Sequence, residues 1–154
     1  MTFERTANYP LLGELLRNPS LYTFLCDDYS PPIDEAAVAE NDGIWYVLAR
    51  DERGELLGFW LLAPHSAICW EIHTVMALDR RALAALRELI GPGGWLWKNT
   101  PCLRLVTNVP AWNGIALRFG LRGGLSEYGR NPESFMKGGR LFDQILLGIS
   151  KPKD

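Results

Sequence analysis

Only two histidines and three cysteines occur among the 154 residues, and Cys26, Cys69 and Cys102 lie far apart with no CxxC pair. That pattern argues against a disulfide scaffold and against a zinc site, so no metal is expected and a reducing, cytoplasmic setting is. No apolar run approaches the roughly 20 residues needed to span a bilayer, which excludes a helical membrane anchor. The first dozen residues include Glu4 and Arg5 and lack an apolar stretch, so no secretory leader is expected. A compact basic run is also missing, and the net charge is −2; neither nucleic acid nor an anionic membrane is expected as a partner.

What is present suits one domain over 1–154, with 47% hydrophobic residues to build a core. Charge is unevenly placed. Residues 1–97 hold seven Lys/Arg against fourteen Asp/Glu, a net of −7, and residues 98–154 hold nine against four, a net of +5. A basic C-terminal part could face a polyanion such as a nucleotide cofactor, although solvated charges without a partner would look the same.

The order of elements follows from period and punctuation. The stretch 10–17 (PLLGELLR) has apolar residues at helical spacing with Pro10 in the tolerated first turn, and 20–26 continues in that style after Pro19. Residues 27–42 read as a loop around a short helix that Asp34 can cap. The segment 1–42 is thus expected to be a helical N-terminal part, and 43–150 the core. Residues 44–50 (IWYVLAR), 56–64 (LLGFWLLAP) and 68–76 (ICWEIHTVM) read as a three-strand antiparallel meander. Asp79 can cap a helix over 80–90, which the glycines of GPGG (91–94) terminate, with one further turn at 95–99. A strand at 103–109 is reached through that helical crossover and is expected to run parallel to a neighbour. A second amphipathic helix spans 112–122, and a hairpin around KGGR (137–140) closes the chain. This is an α+β fold: a central mixed, mostly antiparallel sheet flanked by helices.

This order, and the residues at its junctions, resemble the GNAT N-acetyltransferase superfamily. The segment TNVPAWNGIALRFGLRGGL (107–125) is similar to that family's strand, N-x-x-A and helix, with Asn113, Ala116, Gly124 and Leu125 in the matching places. More narrowly, EIHT (71–74), NTPC (99–102) and the ending DQILLGIS look like a phage- and prophage-associated GNAT-like subgroup. The resemblance implies an acetyl-CoA-dependent N-acetyltransferase acting on a small amine or a protein amino group. The subgroup implies instead a catalytically inactive phage morphogenesis scaffold, whose partners would be phage structural proteins in the virion or host cytoplasm.

The family binds the acyl-CoA pyrophosphate at a helix N-terminus, usually through Q/R-x-x-G-x-G/A, because unpaired N–H groups and the positive dipole end suit a phosphate. Here the matching residues are Arg81, Ala82, Leu83, Ala84, Ala85 and Leu86, so both glycines are replaced. By resemblance, Arg81 and the amides of Ala82, Leu83 and Ala84 are expected to hold the pyrophosphate. The backbone of Thr74, Val75 and Met76 is expected to pair with the pantetheine arm, and Asn113 to position it from the other side. Strand alternation places Glu71 and His73 on one face beside the cofactor cleft. Either could take the ammonium proton, directly or through a water, with Glu71, raised toward neutrality by an apolar cleft, placed ahead of His73 as the base; equally, they could be a polar pair satisfying the sheet interior. The family's acid, a tyrosine seven residues after the asparagine, is Gly120 here, and Tyr128 is the nearest substitute. Trp112 is expected to line the cleft or a protein contact, and His65 to be an exposed turn residue.

Overall fold

A computed structural model describes residues 1–153. Seven strands form one sheet in the order β1-β2-β3-β4-β5-β7-β6. The meander is β2 (Trp45–Arg50), β3 (Leu56–Pro64) and β4 (Cys69–Met76), all antiparallel. Its alternation sorts side chains onto two faces. Val47, Trp60, Ile72 and Met76 pack beneath helices α3 (Arg80–Ile90), α4 (Trp95–Asn99) and α5 (Gly114–Gly123). Tyr46, Leu48, Phe59 and Val75 pack on the opposite face with Leu12 of α1 (Tyr9–Leu16). Helix α2 (Pro19–Leu25) follows on that side.

Four of the five α-helices among the described residues begin where the sequence supplies a side-chain acceptor, and α4 begins at Gly94 without one. Asn8 caps α1, Asn18 caps α2, Asp79 caps α3 and Asn113 caps α5. The α3–α4 crossover returns the chain to β5 (Arg104–Pro110), which runs parallel to β4, as its helical connection requires. Gly124, at φ 112°, ends α5 in the left-handed conformation that glycine adopts freely. In the closing hairpin of β6 (Ser126–Lys137) and β7 (Arg140–Ser150), Gly138 and Gly139 both have positive φ, the geometry of a primed turn.

Three features depart from the sequence expectation. The N-terminal part is not wholly helical: β1 (Thr2–Thr6) pairs antiparallel with β2 and extends the sheet. Its pattern TFERT is too short and polar to read as a strand; the ladder to β2, Phe3 against the Trp60 and Trp95 rings at 5.9 and 6.3 Å, and Arg5 over the Trp45 ring hold it. Asp34 lies inside a single 3-10 turn (Ile33–Glu35), and the cap position is Pro32, which offers no side-chain acceptor. Strand β6 runs through Pro132 because its register shifts between Asn131 and Phe135, with Glu133 at φ 47°.

Candidate functional site

Strands β4 and β5 pair over only three residues each, ending at Glu71 opposite Val106. Beyond that point β4 stays with β3 to Met76, and β5 stays with β7 to Pro110. The two strands therefore part, and Ile72–Met76 and Thr107–Pro110 have lost each other as partners. A V-shaped gap opens in the middle of the sheet. A cavity of about 470 Å3 fills it, lined from the α2 side by Leu21, Phe24 and Leu25 and from the α5 side by Asn113, Ala116 and Phe119. Glycine at position 58 helps set this geometry. With φ at 146°, its backbone lies so close to Val75 O and Met76 that a Cβ would collide with both, so β3 draws the end of β4 toward itself.

At the gap's apex, one carboxylate holds both histidines of the chain. Glu71 Oε1 is 2.7 Å from His73 Nε2 and Oε2 is 2.6 Å from His65 Nε2. The carboxylate is 16% exposed, and the two imidazoles are about half exposed. Hydrogen bonding from His73, followed by its charge and the bond from His65, holds the Glu71 carboxyl below its ordinary range against the opposing effect of burial. This corrects the expectation of a raised Glu71, which counted the apolar walls and not the two donors. His65 is exposed in the β3–β4 turn, as expected, and in addition its Nε2 reaches Glu71. The β3–β4 turn is tight enough, with His65 N bonded to Cys69 O, to fold His65 back onto Glu71.

Of the residues singled out from the sequence, Glu71, His73, Thr74, Met76 and Asn113 line the cavity. Asn113 Oδ1 accepts from Ala116 N at 3.1 Å, and Thr74 Oγ1 accepts from Trp60 Nε1 at 3.1 Å. Others are elsewhere. The Val75 side chain turns into the core beneath α1, because strand alternation sends it away from Thr74 and Met76.

The start of α3 differs most from expectation. Asp79 Oδ1 accepts from both Arg81 N and Ala82 N, at 2.8 and 2.9 Å, and Leu83 N donates to Asp79 O. Ala84 lies within the helix, where the backbone bonds to the preceding turn. The Arg81 guanidinium is engaged by Asp51, Glu55 and Asp79 at 3.2, 2.8 and 3.4 Å. None of Arg81, Ala82, Leu83 or Ala84 lines the cavity. The donors expected to cradle a pyrophosphate are already satisfied, and a ring of carboxylates holds the arginine.

Tyr128 sits on β6 beneath the Arg104 guanidinium, 5.1 Å from its ring centre, and is absent from the cavity wall. Arg104 begins β5, at the paired end of the strand and away from the gap. Trp112 stacks on Phe24 at 6.2 Å and lies 6.4 Å from Phe135, so these two rings face the cavity and Trp112 backs them. Leu86 reaches the cavity wall while packing in the core against Gly123, which leaves the gap open. Phe24 and Phe135 carried no signal in the sequence, because nothing local shows that α2 and β6 meet across the sheet.

No family model matches the sequence, and no curated protein matches it. Solved structures do. A spermidine N-acetyltransferase from Vibrio cholerae, in complex with CoA and spermine, superposes with a TM-score of 0.69 at 16% identity, covering 97% of this chain and 95% of that one. A putative phosphinothricin N-acetyltransferase gives 0.70 at 14% identity, covering 99% of each chain. A putative acetyltransferase from Acinetobacter baylyi ADP1 gives 0.67 at 18%, covering 98% and 94%. The chain has the GNAT fold.

Proposed function

We propose that the chain is an N-acyltransferase that moves an acyl group from a thioester to an amine in the gap between β4 and β5. The observation that carries this is the splaying of the two strands past Glu71 and Val106, with an imidazole held at the edge of the opening. An acyl thioester such as acetyl-CoA supplies the activated acyl carbon. The protein fits one end of that donor. The edges of β4 and β5 facing the gap are unpaired with each other, and the backbone at Thr74 and Met76 suits an extended amide-bearing arm, with Asn113 across from it. At the other end Asp79 occupies the amides of Arg81 and Ala82, so the diphosphate gains nothing from α3.

The proton chemistry rests on Glu71 and His73. In the form of the pair competent for proton transfer, Glu71 is ionised and His73 carries one proton, donated from Nε2 to the carboxylate, so that Nδ1 bears the lone pair. That lone pair takes the proton of the incoming ammonium, freeing the amine nitrogen for attack; Glu71 orients the ring and stabilises the cation formed. Tyr128 does not reach the cavity, and a Cβ at Gly120 would sit 2.8 Å from Leu147 Cδ1, so neither position protonates the sulfur; as the C–N bond forms and the C–S bond breaks, the thiolate leaves as the anion and the second nitrogen proton passes to water.

Calorimetry with acetyl-CoA and with S-acetylpantetheine tests the reading. Both are expected to bind with affinities within about tenfold, because the diphosphate adds little. The absence of binding by either at millimolar concentration, in a folded sample, overturns it. A second reading is a GNAT-fold scaffold without turnover, such as a virion-associated protein. It draws on the self-capped start of α3, and CoA-dependent turnover of any amine removes it.

A further inference from the structure

Resting on the acyltransferase reading, we infer that the acceptor is a small amine with an apolar or aromatic body and no second positive charge. The α2 half of the cavity is built from Leu21, Phe24 and Leu25, with Phe135 opposite. Phe24 is 47% exposed and Leu25 39%, so their apolar surface is open to a ligand that enters the cavity. The rings are held in place. Trp112 stacks behind Phe24, and the Lys137 ammonium lies 5.4 Å from the Trp112 ring centre while donating to the carbonyls of Thr23 and Cys26 at 2.6 and 2.7 Å. A fixed cation therefore already stands behind the aromatic wall.

The negative charge of the cavity is equally restricted. Among the described residues lining it, Glu71 is the one carboxylate; Ser20, Thr74, Thr107, Asn108, Asn113 and Gln144 are neutral. The acidic residues that follow α2 turn away from it. Asp28 accepts from Gly138 N and Gly139 N at 2.8 Å each, and Asp27 accepts from Tyr29 N and Ser30 Oγ. On β7, Asp143, which does not line the cavity, accepts from Glu133 N. One ammonium can meet Glu71 and the His73 ring. A second, farther along an extended polyamine, meets phenyl and leucine side chains and no carboxylate to pair with, so it adds little to binding while the chain that carries it must be ordered.

The test is equilibrium binding of 2-phenylethylamine and of spermidine, by calorimetry, with and without saturating CoA. 2-Phenylethylamine is expected to bind at least about tenfold more tightly, and Phe24→Ala to lose about tenfold of that affinity while thermal unfolding shows the variant folded. Leu25→Glu, which adds a carboxylate to the wall, is expected to raise spermidine affinity by about tenfold. Spermidine binding as well as or better than 2-phenylethylamine overturns the inference, as does failure of 2-phenylethylamine to bind at millimolar concentration. Turnover of polyamines in preference to arylalkylamines would sink this inference and leave the acyltransferase standing. Tight arylalkylamine binding without any acyl transfer would do the reverse.

Discussion

Glu71 and His73 stand two residues apart on β4 and form a 2.7 Å hydrogen bond at the point where that strand leaves β5. Same-face spacing along a strand brings the two side chains together, and His65 closes the carboxylate's other oxygen at 2.6 Å. A carboxylate so engaged is an orienting group, and the ring beside it is the group free to accept a proton.

His73→Ala is accordingly expected to lower kcat by about 10²–10⁴ with little change in affinity for the acyl donor. Steady-state kinetics with a fixed amine checks this; an unchanged kcat assigns the proton transfer to another group.

Glu71→Gln is expected to cost about 1–2 kcal/mol of stability near neutral pH, as charge-assisted bonds to two imidazoles become neutral ones. The folded Glu71 carboxyl is held below its ordinary value, so its contribution is present above that value and lost as pH falls through the lowered one. The stability gap between wild type and variant should therefore close in acid. Chemical denaturation at several pH values measures it, and a gap independent of pH refutes the assignment.

Asp79→Ala removes the α3 cap and is expected to destabilise the protein by about 0.5–2 kcal/mol. It also frees the amides of Arg81 and Ala82 and removes one carboxylate, so acetyl-CoA should bind more tightly while S-acetylpantetheine is unaffected. Equal changes for both ligands would show that the diphosphate lies elsewhere.

Cys102 is 1% exposed, and burial pushes its thiol up to about 11. It should resist a thiol reagent that modifies the half-buried Cys26 and Cys69. Because the folded value lies above the unfolded one, its stabilisation is intact below about pH 9 and lost as pH rises through 11, roughly 3 kcal/mol in all. Comparison with Cys102→Ala between pH 8 and 11 isolates that loss.

Gly58→Ala is expected to destabilise by at least about 2 kcal/mol, since its φ of 146° is strained for alanine and the new methyl would strike Val75 O. For a chain of this length each kcal/mol lowers Tm by about 2–4 °C, which a thermal melt resolves. Displacement of β4 should narrow the gap, so amine binding should weaken along with stability.

Local chemistry in the sequence decided most of the elements. The alternation in IWYVLAR, LLGFWLLAP and CWEIHTVM makes three strands, Asp79 and Asn113 begin two helices, and Gly124, Gly138 and Gly139 supply the positive φ that ends α5 and closes the hairpin. These signals lie within a few residues of what they determine. The same-face placement of Glu71 and His73 was equally readable, because it follows from the period of one strand. Tertiary structure decided the rest. Asp79 is visible in sequence as a cap, but only the folded loop shows that capping uses the amides a phosphate would need and that Asp51 and Glu55 draw Arg81 aside. His65 reaches Glu71 through a turn, Phe24 and Phe135 meet across a gap between sheet and helix, and the five residues of β1 become a strand only because β2 is there to pair with them. Contacts between residues distant in the chain leave no periodic trace, which is why the architecture could be read in advance and the wiring of its cleft could not.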